Sequence, residues 1–467
     1  MTKGGQQYKT EHGACPASPD ALGTLSQAES HPGAMQPSGA PPPQGDRQLN
    51  VLSLFSGCGG MDLGFEGGFT VPRECIPADS PAIEALVDKQ LAYLSPTRFR
   101  IVFANDIMRE AQVAWTHHFA RYGYSPDTYR LASIVDLVRE HHSGKSVFPA
   151  HVDVVTGGFP CQDFSLAGKR RGFQSQRDHR GMRVIGDVAA EETRGKLYYW
   201  MKQVIDIVKP NVFIAENVKG LINLADAKDI IQHDFSSADG DAYIVLPPQI
   251  LHAADYGVPQ SRERVIFIGL RKAALSPAVR DALANGDIPP HLSPYPPATH
   301  AYTQTGEHLL PPVPIGHLFE GLAEPEVTTD PSQRSYSRAK FMGSHCQGQK
   351  EINPASIAPT IRSEHHGNIE YRRLSAEHGG ALTHELAQGL PERRLTPREC
   401  ALIQTFPSDY EFVIPNPQRK GSYLLSPSTA YKIIGNAVPP LLAYHIARRI
   451  EQLWNVYFPA DNGTVKR

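Results

Sequence analysis

A cysteine stands between a proline and a glutamine in GGFPCQDFS, residues 157–165, directly after an apolar run. A thiol attacks as its anion, and neighbouring cations favour that anion. Lys169, Arg170, Arg171, Arg177, Arg180 and Arg183 follow Cys161 against a single aspartate in residues 169–183. A carboxylate, Glu216, closes a second apolar run in AENV, with Asn217 after it. Arg262 and Arg264 stand two apart in QSRER, where a third run begins; on a strand, such residues face one side. A thiolate forms covalent intermediates with electron-poor carbons, and guanidiniums hold carboxylates and phosphates. A lone cysteine is more often an inert core thiol. Here Gly157, Gly158 and Pro160 suit a shaped loop, and an acid and two arginines belong to neighbouring run ends. A thiol, an acid and two arginines from three strand ends make a site.

A second cluster is built for a ligand rather than for bond-making. In FSGCGGMDLGF, residues 55–65, Gly57, Gly59 and Gly60 let the chain turn tightly off a strand and bring a ligand close to the amides of a helix N-terminus. Asp106 ends the next apolar run, where an acid takes the hydroxyls of a ribose. The pair marks an adenosine-containing cofactor. Phe55 either stacks on an adenine or fills the core. The six cysteines are scattered, with no pair or histidine cluster at metal spacing; this argues against a zinc site and a disulfide framework. We therefore expect no metal. A thiol hydrolase would need a histidine beside Cys161, and the rim segments offer none.

The elements that must position these groups follow from texture. Residues 1–49 are rich in Gly, Pro, Ser and Gln without apolar periodicity, and read as a disordered leader. Apolar runs at 49–55, 100–107, 151–158, 211–217 and 264–270 read as strands. Helical stretches at 107–120, 133–142 and 196–208 lie between them. Alternation of this kind predicts a parallel, doubly wound α/β sheet. Past 271 the pattern turns irregular. Thr396, Pro397 and Glu399 then predict a capped helix over 396–406, and a last helix is expected over 437–455. The division expected is a leader (1–49), a catalytic and cofactor-binding domain (50–270), a recognition domain (271–427) and a returning C-terminal segment (428–467). No apolar run approaches the roughly 20 residues of a membrane helix, and the expected location is the cytoplasm. A net charge of −2 gives no hint of nucleic acid; the cations after Cys161 give one locally.

These motifs, in this order, resemble the DNA (cytosine-5)-methyltransferases, above all the single-chain bacterial enzymes of restriction–modification systems. FSGCGG is similar to the family's cofactor loop, PCQ (160–162) to its nucleophile motif and ENV (216–218) to its cytosine-binding motif. QSRER is similar to its Gln-x-Arg-x-Arg, RRLTPREC (393–400) to the segment after target recognition, and GNAVPP (435–440) to its closing cofactor motif. The resemblance implies a Rossmann-like S-adenosylmethionine-dependent methyltransferase sheet with a smaller, irregular target-recognition domain. It makes Cys161 the nucleophile and Glu216 the acid at ring nitrogen 3. It sets Arg264 on the cytosine carbonyl, and Arg262 on the phosphate or the loop bearing Cys161.

The resemblance also implies S-adenosylmethionine against Phe55, Gly57, Gly59, Gly60, Asp106, Ile107, Pro160, Asn436 and Val438. Double-stranded DNA would meet Gln162 and Ser165, the mobile loop of Lys169 and Arg170, the Thr360–Ile361 pair, and Arg362, His365, His366 and Asn368. The histidines equally suit a plain surface. A monomer is expected, associated with the nucleoid through DNA, with no membrane partner and with an endonuclease acting on the same site without needing contact. The chain departs from the family at Ser133, which stands where an acid usually holds the adenine amino group, with Asp136 three residues on. It has Asp rather than Glu at 106, Ile rather than an aromatic at 107, and insertions near 70–98 and 174–193. Two rival readings are a transfer-RNA methyltransferase of the same family and a catalytically silent DNA-binding relative. The long segment after 271 favours duplex DNA, and the intact PCQ and ENV favour catalysis.

Overall fold

The computed structural model describes residues 47–160, 197–223, 227–284, 288–363 and 369–459. The leader, the insertion at 174–193, and Cys161, Gln162, Ser165, Lys169, Arg170, His365, His366 and Asn368 lie outside the described residues, apart from residues 47–49 of the leader. Eight strands form the central sheet: β1 (Leu49–Leu54), β2 (Phe99–Asp106), β3 (Tyr129–Leu131), β4 (Val154–Gly158), β5 (Val212–Val218), β6 (Tyr243–Val245), β7 (Gln249–His252) and β8 (Glu263–Arg271). Their order is 7-8-5-4-1-2-3, and β6 pairs with β8 as well. The chain moves outward from β1 to β2 and β3, then returns to β4 on the other side of β1. Open α/β sheets bind ligands at such a reversal, beyond the strands' carboxyl ends. The glycine loop leaves β1 there, and Phe159 and Pro160 follow the end of β4 beside it.

The five strands β3, β2, β1, β4 and β5 pair in parallel. The expectation of a parallel sheet fails at β8, which is antiparallel to β5, β6 and β7. The link from His252 to Glu263 is too short for the crossover that a parallel partner needs, so the chain turns back on β7. Reversal places the start of β8, with Arg264 opposite Val218, at the carboxyl end of β5. An antiparallel strand thus delivers its first residues to the rim where its parallel neighbours deliver their last.

Alternate residues of the strands face two cores. Leu52, Leu54, Phe103, Val155, Phe213, Ala215 and Phe267 bury against α3 (Ile134–His142), α4 (Leu197–Val208) and α5 (Ala227–Ser236). Val51, Ile101, Val154, Ile214 and Ile268 share the other face with α1 (Gly60–Glu66), α2 (Arg109–Phe119) and the C-terminal helices. That second core continues past residue 270 without a break. It takes in Val279 of α6 (Pro277–Ala284), Ile315, Ile352, Ile361 and Cys400 of α7 (Pro397–Ile403). At α7, Thr396 caps the helix, Pro397 opens it and Glu399 completes the box.

Instead of one last helix from 437, two form: α8 (Pro427–Asn436) and α9 (Pro440–Tyr457). Pro439 and Pro440 cannot sit inside a helix, but suit the opening of one. Ser426 caps α8 with Pro427 behind it, a signal present in the chain and passed over. Residues 70–98 form a three-stranded antiparallel sheet, to whose flank α9 is tied by Tyr444 Oη, 3.0 Å from the Ser95 carbonyl. Among the described residues no helix is long and apolar enough to cross a membrane, and no group of acids, cysteines and histidines could hold a metal ion.

Candidate active site

The loop after β1 is drawn tight by left-handed backbone at Phe55, Gly57 and Gly59, with φ of 53°, 54° and 78°. Its three glycines have different neighbours. Among the described residues nothing lies within 4 Å of where a Gly57 side chain would begin. A Cβ on Gly59 would come within 2.6 Å of the Trp115 ring, and one on Gly60 within 2.3 Å of the Val438 carbonyl. Gly57 alone borders open space. The absence of a side chain at 59 and 60 serves packing first, which amends the expectation that all three glycines serve a ligand.

Asp106, at the end of β2, accepts the Gly57 N–H at 3.1 Å and the Met108 N–H at 2.9 Å. Burial raises its carboxyl above the usual range, against those amides, which lower it. Ile107 and Leu131 are 45 % and 41 % exposed, and Leu131 lies in register with Asp106. A carboxylate acceptor, two exposed apolar side chains and an open glycine at neighbouring strand ends suit the hydroxyls and ring of a nucleoside. Leu131 is a rim residue that sequence reasoning missed, because β3 is too short to show periodicity. Phe55 packs partly buried against the core shared by α3 and α4. Ser133 caps α3 through the Val135 N–H, 3.3 Å away. Val438 is buried, and Asn436 is exposed at the end of α8.

At the adjoining strand ends the second cluster assembles. Glu216 is 7 % exposed, and its Oε1 lies 2.6 Å from Arg264 Nε. Burial raises its carboxyl above the ordinary range, while Arg264 and then Arg262 pull it down. Burial outweighs two cations, which leaves a group suited to holding a proton. A Cβ on Gly158 would stand 2.9 Å from Glu216 Oε2, so the carboxyl occupies the space that a side chain on β4 would fill. Asn217, given no role from sequence, is 1 % exposed and donates to the Phe159 carbonyl at 3.1 Å. It thereby ties β5 to the stem of the PCQ segment, just before Pro160.

The loop bearing Cys161, which Arg262 was expected to hold, lies outside the described residues. The Arg262 guanidinium is buried and donates to the carbonyls of Ile361, Gly435 and Ala437, at 3.0, 2.8 and 2.7 Å. Gln260 works beside it, accepting from Ile361 N at 2.9 Å and donating to Gln404 at 3.0 Å. Thr360, expected at DNA, donates its hydroxyl proton to the Ser261 carbonyl. Arg362 pairs with Glu370 at 3.0 Å across the foot of 364–368. The segment expected to recognise a target is thus bolted, through main-chain contacts, to the strand that presents Arg264.

The model of the family "C-5 cytosine-specific DNA methylase" matches residues 49–452. Type II methyltransferase M.BsuRI of Bacillus subtilis is 29 % identical over 419 residues, covering 86 % of this chain and 79 % of its own length. Type II methyltransferase M.BspRI of Lysinibacillus sphaericus is 30 % identical over 415 residues, covering 87 % and 82 %. The solved structure of the Entamoeba histolytica methyltransferase EhMeth has a TM-score of 0.50 at 14 % identity, over 87 % of this chain and 99 % of its own, a likeness of fold alone. With an acid and an arginine paired at one strand rim, the chain belongs to the C-5 cytosine-specific DNA methylase family and is a DNA cytosine-5 methyltransferase.

Proposed function

We propose that this enzyme uses Cys161 as its nucleophile, Glu216 as the proton holder at cytosine nitrogen 3, and Arg264 as the anchor of the cytosine carbonyl. The observation that carries the reading is the Glu216–Arg264 pair, 2.6 Å apart over Gly158. The Cys161 thiolate adds to ring carbon 6, and charge gathers at nitrogen 3. A buried carboxyl with a raised pKa is able to meet that charge with a proton. Carbon 5 then becomes the nucleophile. When bound, S-adenosylmethionine supplies a methyl group activated by a sulfonium. Water then takes the carbon 5 proton, the nitrogen 3 proton returns to the Glu216 carboxylate, and departure of the thiolate restores the aromatic ring.

Asp106, Ile107, Leu131 and the open side of Gly57 are the groups we assign to the cofactor's nucleoside; Phe55, Pro160, Asn436 and Val438 lie in the flanking motifs. A cytosine inside a duplex offers no free ring face, so the base must leave the stack. We assign Gln162 and Ser165 to the gap it leaves, and Lys169 and Arg170 to the DNA backbone. The relatives' description as type II methyltransferases supports a protective role against an endonuclease that cuts the same site.

Bisulfite sequencing of plasmid DNA from cells making the wild type or Cys161→Ala tests the reading. Protected cytosines at one sequence in the wild type and none in the variant are expected. Duplexes carrying 5-fluorocytosine should form a stable conjugate with the wild type alone. Undiminished methylation by Cys161→Ala would overturn the assignment of the nucleophile.

A further inference from the structure

A buried charge needs partners, and α1 carries one that methyl transfer leaves unused. Asp62 is 1 % exposed. Its Oδ1 accepts the Ser53 hydroxyl at 2.5 Å, and its Oδ2 the Trp115 indole N–H at 2.7 Å. Ser53 has one proton and gives it to the carboxylate, so its oxygen is left to accept; the Ser56 hydroxyl, 2.9 Å from it and 3.1 Å from the Ser53 carbonyl, shares its proton between the two. Ser56 Oγ in turn accepts the Asn105 N–H at 3.1 Å, and Ser56 N–H donates to the Asn105 carbonyl at 2.9 Å. Asn105 immediately precedes Asp106, and Ser56 immediately precedes Gly57, whose N–H reaches the Asp106 carboxyl.

The amides of Ser56 and Gly57 point from the loop to the end of β2, while the hydroxyl chain runs the other way, from the Asn105 N–H through Ser56 and Ser53 to a single acceptor beneath the loop. The other arm of Asp62 fixes Trp115, which stacks on Phe119 with ring centroids 4.3 Å apart and forms the floor under Gly59. A carboxylate is suited to the end of such a chain, because when ionised it accepts from both sides and donates to neither.

We propose that Asp62 is a positioning residue for S-adenosylmethionine: through Ser53 and Ser56 it locks the glycine loop against the strand end bearing Asp106. Loop and acid are then held in one geometry before the cofactor arrives. The proposal rests on the cofactor reading above. It separates Asp62 from an ordinary core acid, whose loss would lower stability without singling out one substrate.

The test uses the full chain with Ser56→Ala, Ser53→Ala and Asp62→Asn, and S-adenosylhomocysteine as the probe in titration calorimetry. KM for S-adenosylmethionine, KM for duplex DNA and kcat are measured alongside. Each variant should weaken the probe roughly tenfold, the scale of one hydrogen bond in a charge-terminated chain. KM for DNA should stay within about twofold of the wild type. Ser56→Ala removes only a half-buried hydroxyl, which keeps the test decisive if Asp62→Asn does not fold. Wild-type affinity for the probe in a folded Ser56→Ala overturns the positioning role. So does an equal rise in both KM values. A wild type that takes up none of the probe overturns the cofactor reading itself, and the positioning role with it.

Discussion

At the scale of single residues, the site turns on how one carboxyl is seated. Glu216 sits where a Cβ on β4 would be, 2.9 Å from the position a methyl would take on Gly158, and Arg264 grips its other oxygen. Glycine is required there because of the acid facing it, not for a turn. Gly158→Ala should displace the carboxyl from Arg264 and lower kcat on the order of tenfold or more. The melting temperature should hold within a few degrees, because the group that yields is a side-chain end rather than backbone; activity assays beside thermal melts check both halves. Glu216→Gln keeps the shape and removes the transferable proton. It should cost on the order of a hundredfold in kcat with unchanged affinity for S-adenosylhomocysteine. Cys161 lies outside the described residues. The places of Glu216 and Arg264 at strand ends were legible in the sequence because each adjoins its own apolar run. The seat was not, since Gly158 and Glu216 meet only through the register of β4 with β5.

At the scale of elements, α1 bears the burden. It is short and wholly buried, and it is pressed against α9 with almost no gap. A Cβ on Gly64 would come within 2.4 Å of the Ala443 methyl and 2.5 Å of the Pro440 carbonyl. Backbone cannot yield as a side chain can, so Gly64→Ala should cost about 2 kcal/mol or more in urea unfolding. Loss of cofactor affinity should follow as α1 shifts.

The far end of α1 carries Glu66, bonded to the Tyr124 hydroxyl and to Ile101 N at 2.7 Å, with Arg100 3.7 Å away. Burial, against these partners, pushes its carboxyl up to about 7. The folded chain therefore holds this proton more tightly than the unfolded chain. The stability it contributes is full below the unfolded value, near about 4.3, and is lost as pH rises through the folded one. The stability gap between wild type and Glu66→Gln should accordingly shift in the variant's favour between about pH 4.5 and 7.5. Chemical denaturation across that range checks the sign. Helix positions and the α7 cap were readable from local residues. The last helix was expected from 437 and starts at Pro440, and α8 before it was missed although Ser426 and Pro427 mark its start.

At the scale of the whole molecule, Arg262 joins three parts of the chain. The carbonyls it holds lie 99, 173 and 175 residues further along. One guanidinium thus couples β8, the segment leading to the expected recognition loop, and the closing motif that lies over α1. Arg262→Met should cost about 3 kcal/mol in unfolding free energy, because three buried carbonyls lose their donor at once. The slope of DNA affinity against salt should remain unchanged, whereas losing a phosphate contact would lower it by roughly 0.9. Fluorescence anisotropy at several salt concentrations separates the two.

The amino-acid order alone determined the chemistry and the strands that carry it. A thiol beside a proline, an acid closing an apolar run and glycines opening a helix are local patterns, set by near neighbours. Only the tertiary structure decided that β8 runs backward, that Gly59 and Gly60 are closely packed, and that Arg262 holds three distant carbonyls. Those outcomes depend on which distant backbone group arrives opposite a side chain. Strand register and helix crossing settle that, and no short window of sequence contains both partners.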